Sequence, residues 1–166
     1  MKKRTAFIGA ILSLIPFGQP LLIKTGVVLS TTSFMISLPE KVNANSADFY
    51  YNRAGEKFRN DDYYGAIADL SKAIEINPYD AKAFNNRGYV RRLNNDYYGA
   101  IADAMRAIEI NPNYGLAYAN LGTAKDLLGD IKGACADWKK AFDLGDQSTI
   151  DWFSGEGSSY CKKFNI

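Results

Sequence analysis

The chain has 166 residues, of which 47% are hydrophobic, so it is long enough for one domain with a buried core and short additional segments. It contains no histidine, which removes the usual acid–base side chain and the commonest metal ligand. The formal net charge is +2, but residues 1–44 carry five Lys/Arg and one Glu, which leaves 15 basic and 17 acidic residues in the rest. A domain that binds nucleic acid should carry a basic excess, and the negative balance of residues 45–166 argues against that class.

The first 44 residues have the composition of an export signal. MKKR opens the chain, residues 5–23 are free of charge, and Val42-Asn43-Ala44 resembles a small-residue cleavage site, so we interpret 1–44 as a secretory signal peptide. The alternative is a retained membrane anchor, because residues 5–23 approach the ~20 residues that span a bilayer. Both interpretations place the rest of the chain across a bacterial-type inner membrane, in a periplasmic, luminal or secreted location, and limit membrane contact to this segment.

A 34-residue period follows, with copies at 47–80, 81–114 and 115–148. The second halves of the first two copies nearly coincide, as NDDYYGAIADLSKAIEINP and NNDYYGAIADAMRAIEINP. Each copy contains two amphipathic segments separated by a short polar break, which predicts a pair of helices in each copy. The predicted helices lie near residues 47–60, 63–76, 81–94, 97–110, 115–128 and 131–144.

Several positions of the repeat have a physical role that explains their residue type. An aromatic residue at position 4 can fill the space between helices, and small residues at positions 8, 20 and 27 let helix backbones approach closely. An aspartate before each second helix should cap that helix rather than bind a metal. The aromatic residues are Tyr50, Phe84 and Tyr118, the small residues at position 8 are Ala54, Gly88 and Gly122, and the aspartates are Asp62, Asp96 and Asp130.

This combination of period, aromatic-to-small spacing, paired alanines and closing proline resembles the tetratricopeptide repeat over residues 47–148. The resemblance implies an all-α fold, a right-handed superhelical array of antiparallel helix hairpins, within a domain spanning 45–148. It also implies a non-catalytic module for protein–protein interaction. The sequence departs from the family pattern at Arg53 and Arg87, where the family prefers Leu, and at Asp146, which replaces the closing proline.

The resemblance places the first helix of each copy on the concave side of the array, where an extended segment of a partner protein would bind. Asn occupies position 6 in all three copies, and an amide can pair with both groups of a peptide backbone. The candidate groove residues are Asn52, Asn86, Asn120, Tyr51, Phe58, Arg59, Lys82, Asn85, Tyr89 and Arg92. The family's two-carboxylate clamp is not expected, because only Asn86 agrees with it.

The sequence leaves two alternatives to groove binding, an assembly scaffold and an enzyme. An assembly scaffold would use the convex face instead, where one tyrosine of each pair, Tyr63-Tyr64 and Tyr97-Tyr98, is expected to face solvent. An enzyme is disfavoured, because no phosphate-binding loop, catalytic triad or metal-ligand cluster is recognisable, and no cofactor or metal is expected. The expected partner is another protein and not a nucleic acid.

The chain contains two cysteines, Cys135 and Cys161. In an exported domain an even number of cysteines favours a disulfide, which would fix residues 149–166 as a cap on the last hairpin. Two buried thiols are the alternative. In this cap Trp152 falls at the aromatic position of an incomplete fourth copy, and residues 154–159 are expected to interrupt any helix.

The protein isolated from its native host should lack the first ~44 residues, because their composition is that of a cleaved signal. Intact-mass spectrometry measures this directly. A mass that includes residues 1–44 would contradict cleavage and leave the anchor interpretation.

Overall fold

The computed structural model describes residues 46–164, and within that range every regular element is helical. The six helices of the three hairpins and the helices of the C-terminal segment are α1 (Ala47–Arg59), α2 (Tyr63–Ile76), α3 (Ala81–Leu93), α4 (Tyr97–Ile110), α5 (Gly115–Leu127), α6 (Ile131–Asp143), α7 (Gln147–Trp152) and α8 (Ser158–Lys162). Each of the first six matches its predicted bounds within one residue, which confirms the all-α array. The signal-peptide prediction concerns residues 1–44 and lies outside the described residues.

The turn inside each hairpin has the same construction in all three copies. Asp61, Asn95 and Gly129 occupy the turn with φ of 59°, 62° and 85°, the left-handed region that these residue types adopt at least cost. The following aspartate caps the second helix, and the Asp96 carboxylate, for example, accepts a hydrogen bond from the Gly99 N–H at 2.9 Å. The capping role predicted for all three aspartates is confirmed.

The two helices of a hairpin meet at the small residues that recur in the sequence. A Cβ on Gly88 would lie 3.1 Å from the carbonyl oxygen of Ala100, and one on Gly122 would lie 2.9 Å from that of Ala134. Real Cβ atoms are rarely this close to backbone oxygen, so no larger side chain fits without moving a helix. Phe84, the aromatic residue of the second copy, is buried in one cluster with Ala107 of its own hairpin and Ile74 of the preceding hairpin, so it packs between hairpins as well as in the predicted wedge between the two helices of its own.

The arginines that depart from the family pattern are explained by a buried carboxylate. Arg87 donates to both oxygens of Asp103, at 2.9 and 2.7 Å, and Arg91 donates to the same carboxylate at 2.9 Å. Arg53 makes the equivalent two bonds to Asp69, at 2.7 and 2.6 Å. A planar guanidinium can satisfy both oxygens of a buried carboxylate, whereas a leucine at this position would leave the carboxylate with only the basic residue one turn later, Lys57 or Arg91.

The third copy changes this arrangement. Leu121 replaces the arginine, so the corresponding carboxylate of Asp137 has only Lys125, at 2.7 Å. This difference in pairing shifts the pKa values of Asp69 and Asp137 in opposite directions. The hydrogen bond from Arg53 holds the pKa of Asp69 below its usual value, whereas burial raises the pKa of Asp137 despite the opposing effect of Lys125.

The C-terminal segment forms a cap that is more helical than the sequence predicted. After α7, a wide π-type turn over Phe153–Gly157 leads directly into α8, and only Gly155 departs from helical geometry. The expectation that residues 154–159 interrupt any helix was therefore wrong from Ser158 onward, because one non-helical glycine suffices to redirect the chain. Cys135 and Cys161 are joined in a disulfide, as predicted, which ties α8 to α6.

The residue that replaces the closing proline of the third copy is the N-cap of α7. Asp146 accepts hydrogen bonds from the Thr149 N–H at 3.0 Å and from the Ser148 hydroxyl at 2.6 Å. Burial by itself would raise the pKa of Asp146, but these hydrogen bonds outweigh it and lower the pKa. Proline offers no such side-chain acceptor, so the substitution allows a helix to start immediately after the third hairpin.

Asp69→Asn and Asp137→Asn should affect stability with opposite dependence on pH. Because the pKa of Asp69 is lowered by folding, its ionised form stabilises the protein above about pH 4, and Asp69→Asn should destabilise at neutral pH but progressively less in acid. Because the pKa of Asp137 is raised, its ionisation costs stability as the pH rises, and Asp137→Asn should be at least as stable as the parent at neutral pH. Denaturant unfolding of both variants from acid to neutral pH measures this; the same sign of pH dependence in both variants would contradict it.

Candidate peptide-binding groove

The predicted groove residues meet in part at a cavity of about 240 Å³ between α1 and α3. Four of the predicted residues line it, together with apolar side chains of the first two hairpins. The predicted members are Tyr51, Phe58, Asn86 and Tyr89, and the others include Leu70 and Val90. The first helices of two successive copies therefore line the same cavity, as expected for the concave side of the array. We call this side the inner face.

Aromatic rings and an arginine border this cavity. The rings of Phe58 and Tyr89 pack edge to face with their centroids 5.8 Å apart, and the guanidinium carbon of Arg92 lies 5.0 Å from the Tyr89 centroid. The Nε atom of Arg92 is buried and has no hydrogen-bond partner in residues 46–164. Arg59 and Lys82 are exposed, and neither lines this cavity.

The asparagine row does not project freely into the groove as expected. The amide nitrogen of Asn86 donates to the Tyr51 hydroxyl at 2.7 Å, and that of Asn120 donates to Oδ1 of Asn85 at 2.8 Å. Each of these bonds joins residues 35 apart and so connects neighbouring hairpins. Of the three, only Asn52 is exposed, and no hairpin precedes it in the described residues. Two of the three amides are therefore structural as well as accessible.

Asn85 was predicted to face the groove and is instead 1% exposed. Its amide nitrogen lies 3.4 Å from the Tyr114 hydroxyl, at the limit of a hydrogen bond. Burial, followed by nearby negative charge, raises the pKa of both Tyr51 and Tyr114, and their hydrogen bonds from Asn86 and Asn85 oppose this only in part. Both phenols therefore remain neutral hydrogen-bonding groups under physiological conditions.

A separate cavity of about 670 Å³ lies where the loops between hairpins meet. Lys82 and Asp80 line it, together with Tyr51 and Tyr114. Lys82 therefore lines this second cavity and not the apolar cavity between α1 and α3.

Sequence reasoning missed a third cavity, of about 420 Å³, at the C-terminal end of the inner face. Asp126 of α5 and three aromatic side chains from later helices line it: Trp138, Trp152 and Tyr160. The available signal was that the only two tryptophans of the chain both fall in the last third of the sequence. The period could not reveal the cavity, because its walls come from four different helices and Tyr160 lies beyond the part of the chain that follows the repeat.

Residues 46–164 contain no cluster of side chains suited to a metal ion. In the same residues no helix combines the length and the apolar character required to cross a membrane.

Comparison with known families identifies the hairpins. The family model described as Tetratricopeptide repeat matches residues 47–80, and a second model of the same description matches 81–114. Residues 47–114 are tetratricopeptide repeats. Residues 115–148 form a third hairpin with the same turn and corresponding helix bounds. The tetratricopeptide repeat (TPR) is in general a non-catalytic fold for protein–protein interaction, and the repeats of this chain form a protein–protein interaction module.

Solved structures with the same fold include TPR domains from several proteins. The second TPR of Spaghetti (RPAP3), bound to HSP90 peptide SRMEEVD, is 26% identical with a TM-score of 0.58, over 59% of this chain and 91% of that one. MamA is 28% identical with a TM-score of 0.60, over 65% and 63% of the two chains. The Sgt2 TPR domain from Aspergillus fumigatus is 22% identical with a TM-score of 0.65, over 72% and 79%. No functionally curated protein matches this sequence significantly.

The structural role of the amides can be tested with Asn120→Ala and Asn52→Ala. Asn120→Ala should lower the free energy of unfolding by about 1–3 kcal/mol, because it leaves the buried Oδ1 of Asn85 without its donor. Asn52→Ala, the matched control at an exposed site, should change it by less than about 0.5 kcal/mol. Chemical denaturation measures both, and equal effects would show that the bond between hairpins contributes nothing.

Proposed function

We propose that the inner face of this TPR array binds an extended segment of a partner protein. The observation that carries the proposal is the cavity between α1 and α3, which combines aromatic walls, aliphatic walls and a hydrogen-bonding amide. A ligand pocket typically pairs predominantly apolar walls with a few placed polar groups. The peptide bound to the second TPR of Spaghetti supports a peptide as the kind of ligand.

The cavity would accept one apolar side chain of the bound segment. Leu70 and Val90 supply buried aliphatic surface, and the rings of Phe58 and Tyr89 supply the sides. Burying a side chain of leucine or phenylalanine size is worth about 1.5–3 kcal/mol, which is enough to anchor a peptide that makes few other specific contacts.

The asparagines would hold the backbone of the segment, although differently from a row of free amides. Because one of the two N–H groups of Asn86 donates to Tyr51, a ligand is left with the second N–H and with Oδ1, which can accept a hydrogen bond from a peptide N–H. Asn52 is exposed and offers both its donor and its acceptor. Arg59 and Arg92 lie at the side of the groove, where such charges mainly tune the salt dependence of binding and the choice of partner.

A convex-face scaffold remains the second candidate because of one specific observation. Tyr64 and Tyr98 occupy equivalent positions at the start of α2 and α4, and each is 76% exposed, while Tyr63 and Tyr97 are partly buried. Exposed aromatic side chains repeated along one face are suited to contact with a second protein.

We also propose that the domain functions outside the cytoplasm. The disulfide between Cys135 and Cys161 supports this, because such bridges persist mainly in oxidising compartments. The basic, apolar and small-residue sequence of residues 1–44 supports it independently.

The groove can be tested by filling the cavity. Gly55 lines it in the middle of α1, and a Cβ there would meet only the end of the Arg59 side chain, at 3.8 Å. Gly55→Leu should therefore preserve folding, place apolar atoms in the cavity and block it. Ala68→Leu, at an exposed position of α2, is the matched control.

The measurement is selection of linear peptides from a displayed library on the full-length chain, followed by titration of the selected peptide. Gly55→Leu should weaken binding about tenfold to hundredfold, as expected for loss of one buried side chain, and Ala68→Leu should leave it unchanged. A triple asparagine variant is less informative, because Asn86 and Asn120 also join hairpins. Peptide binding that is unaffected by Gly55→Leu would reject the groove and favour the convex face, which Tyr64→Ser and Tyr98→Ser then test.

A further inference from the structure

The aromatic cavity at the C-terminal end of the inner face is built from four separate helices. Asp126 comes from α5, Trp138 from α6, Trp152 from α7 and Tyr160 from α8. Its volume of about 420 Å³ exceeds that of the cavity between α1 and α3. We refer to these four residues and the space that they enclose as the aromatic pocket.

The walls of the aromatic pocket are held in place by packing and by a covalent bond. The ring centroids of Trp138 and Trp152 are 4.6 Å apart, and Tyr160 lies 6.3 and 6.2 Å from them. Trp152 packs against Gly157 so closely that a Cβ there would overlap its ring. The disulfide at Cys161, the residue after Tyr160, ties this wall to α6.

The aromatic pocket contains a carboxylate but no basic side chain. Asp126 accepts a hydrogen bond from the Tyr160 hydroxyl at 2.8 Å and forms no ion pair with any residue that the structure describes. Other carboxylates of the third hairpin differ, since Asp137 pairs with Lys125 and Asp143 with Lys139. The hydrogen bond to Asp126 raises the pKa of Tyr160, so the phenol remains a donor and Asp126 its acceptor.

Aromatic rings beside a carboxylate favour a planar cation. The faces of tryptophan and tyrosine attract cations, and tryptophan does so best. A guanidinium group is planar, stacks on aromatic rings and donates to a carboxylate in a fixed geometry, whereas an ammonium group acts as a compact, strongly hydrated charge. The tilted tryptophan pair and the single carboxylate therefore suit arginine better than lysine.

We propose that the aromatic pocket binds the side chain of an arginine, with the guanidinium group against Trp138 and Trp152 and hydrogen-bonded to Asp126. The source of this arginine, a partner segment lying along the inner face, rests on the proposed function. The preference of the pocket for a guanidinium group does not depend on the proposed function. The proposal for the pocket and the proposal for the groove can therefore fail separately.

The test uses the tryptophans themselves, because Trp138 and Trp152 are the only two in the chain and both line the pocket. The full-length chain with its disulfide intact is titrated with acetyl-Gly-Arg-Gly-amide up to millimolar concentration while tryptophan fluorescence is recorded. The same peptide with citrulline, a neutral analogue of nearly equal shape, is the matched ligand control, and a lysine peptide tests the shape of the cation.

We expect a saturable fluorescence change with the arginine peptide and binding at least about tenfold weaker with citrulline, because the charge-dependent contacts are lost. Asp126→Asn should weaken arginine binding about tenfold, whereas Asp143→Asn, an equal charge change elsewhere in the third hairpin, should not. Gly55→Leu should also leave it unchanged, which separates this pocket from the groove.

Three results would overturn the proposal. These are no saturable response to the arginine peptide, equal affinity for citrulline or for lysine, and undiminished binding to a folded Asp126→Asn variant. Circular dichroism establishes whether that variant folds. If it does not fold, the comparison of arginine with citrulline on the parent chain decides the matter.

Discussion

The close approach of the two helices in each hairpin is the constraint on which the rest of the structure depends. It exists because glycine or alanine faces alanine at the contact, as in Gly88 against Ala100. At that separation a side chain of the first helix can reach across to the second, so that Arg87 donates two hydrogen bonds to the buried Asp103. The ion pair across the hairpin therefore depends on that contact.

The three hairpins share this contact but differ in what they place beside it. The first two bury a carboxylate under an arginine, and breaking such a pair is costly because it leaves a charge without a partner. The third has Leu121 in place of the arginine, and its Trp138 lies against Gly122 and faces the cap. The first two hairpins are therefore suited to being followed by another hairpin, and the third is suited to the C-terminal end of the array.

Helix positions could be predicted closely because period, caps and closing prolines all act within one repeat. The interactions of Asn86 and Asn120 could not, because they depend on how one hairpin is rotated against the next. The hydrogen bonds between hairpins join position 5 of one copy to position 6 of the next, and not position 6 to position 6. Asn85, which the sequence placed in the groove, is therefore buried. The aromatic pocket was missed for a related reason: its walls come from four helices, and Tyr160 reaches it only after the turn at Gly155 redirects the chain.

The amide bonds between hairpins have a consequence for the number of repeats that the array can hold. They span 35 residues, one more than the period, so each pairs position 5 of one copy with position 6 of the next. Removal of the middle copy would bring Tyr51 to the same separation from Asn120 that it now has from Asn86, with the same hydroxyl and amide chemistry. The middle hairpin is therefore a unit that could be removed with a bond of this kind kept between its neighbours, whereas the third hairpin has Ala119 at position 5 and offers no side-chain acceptor to a following copy.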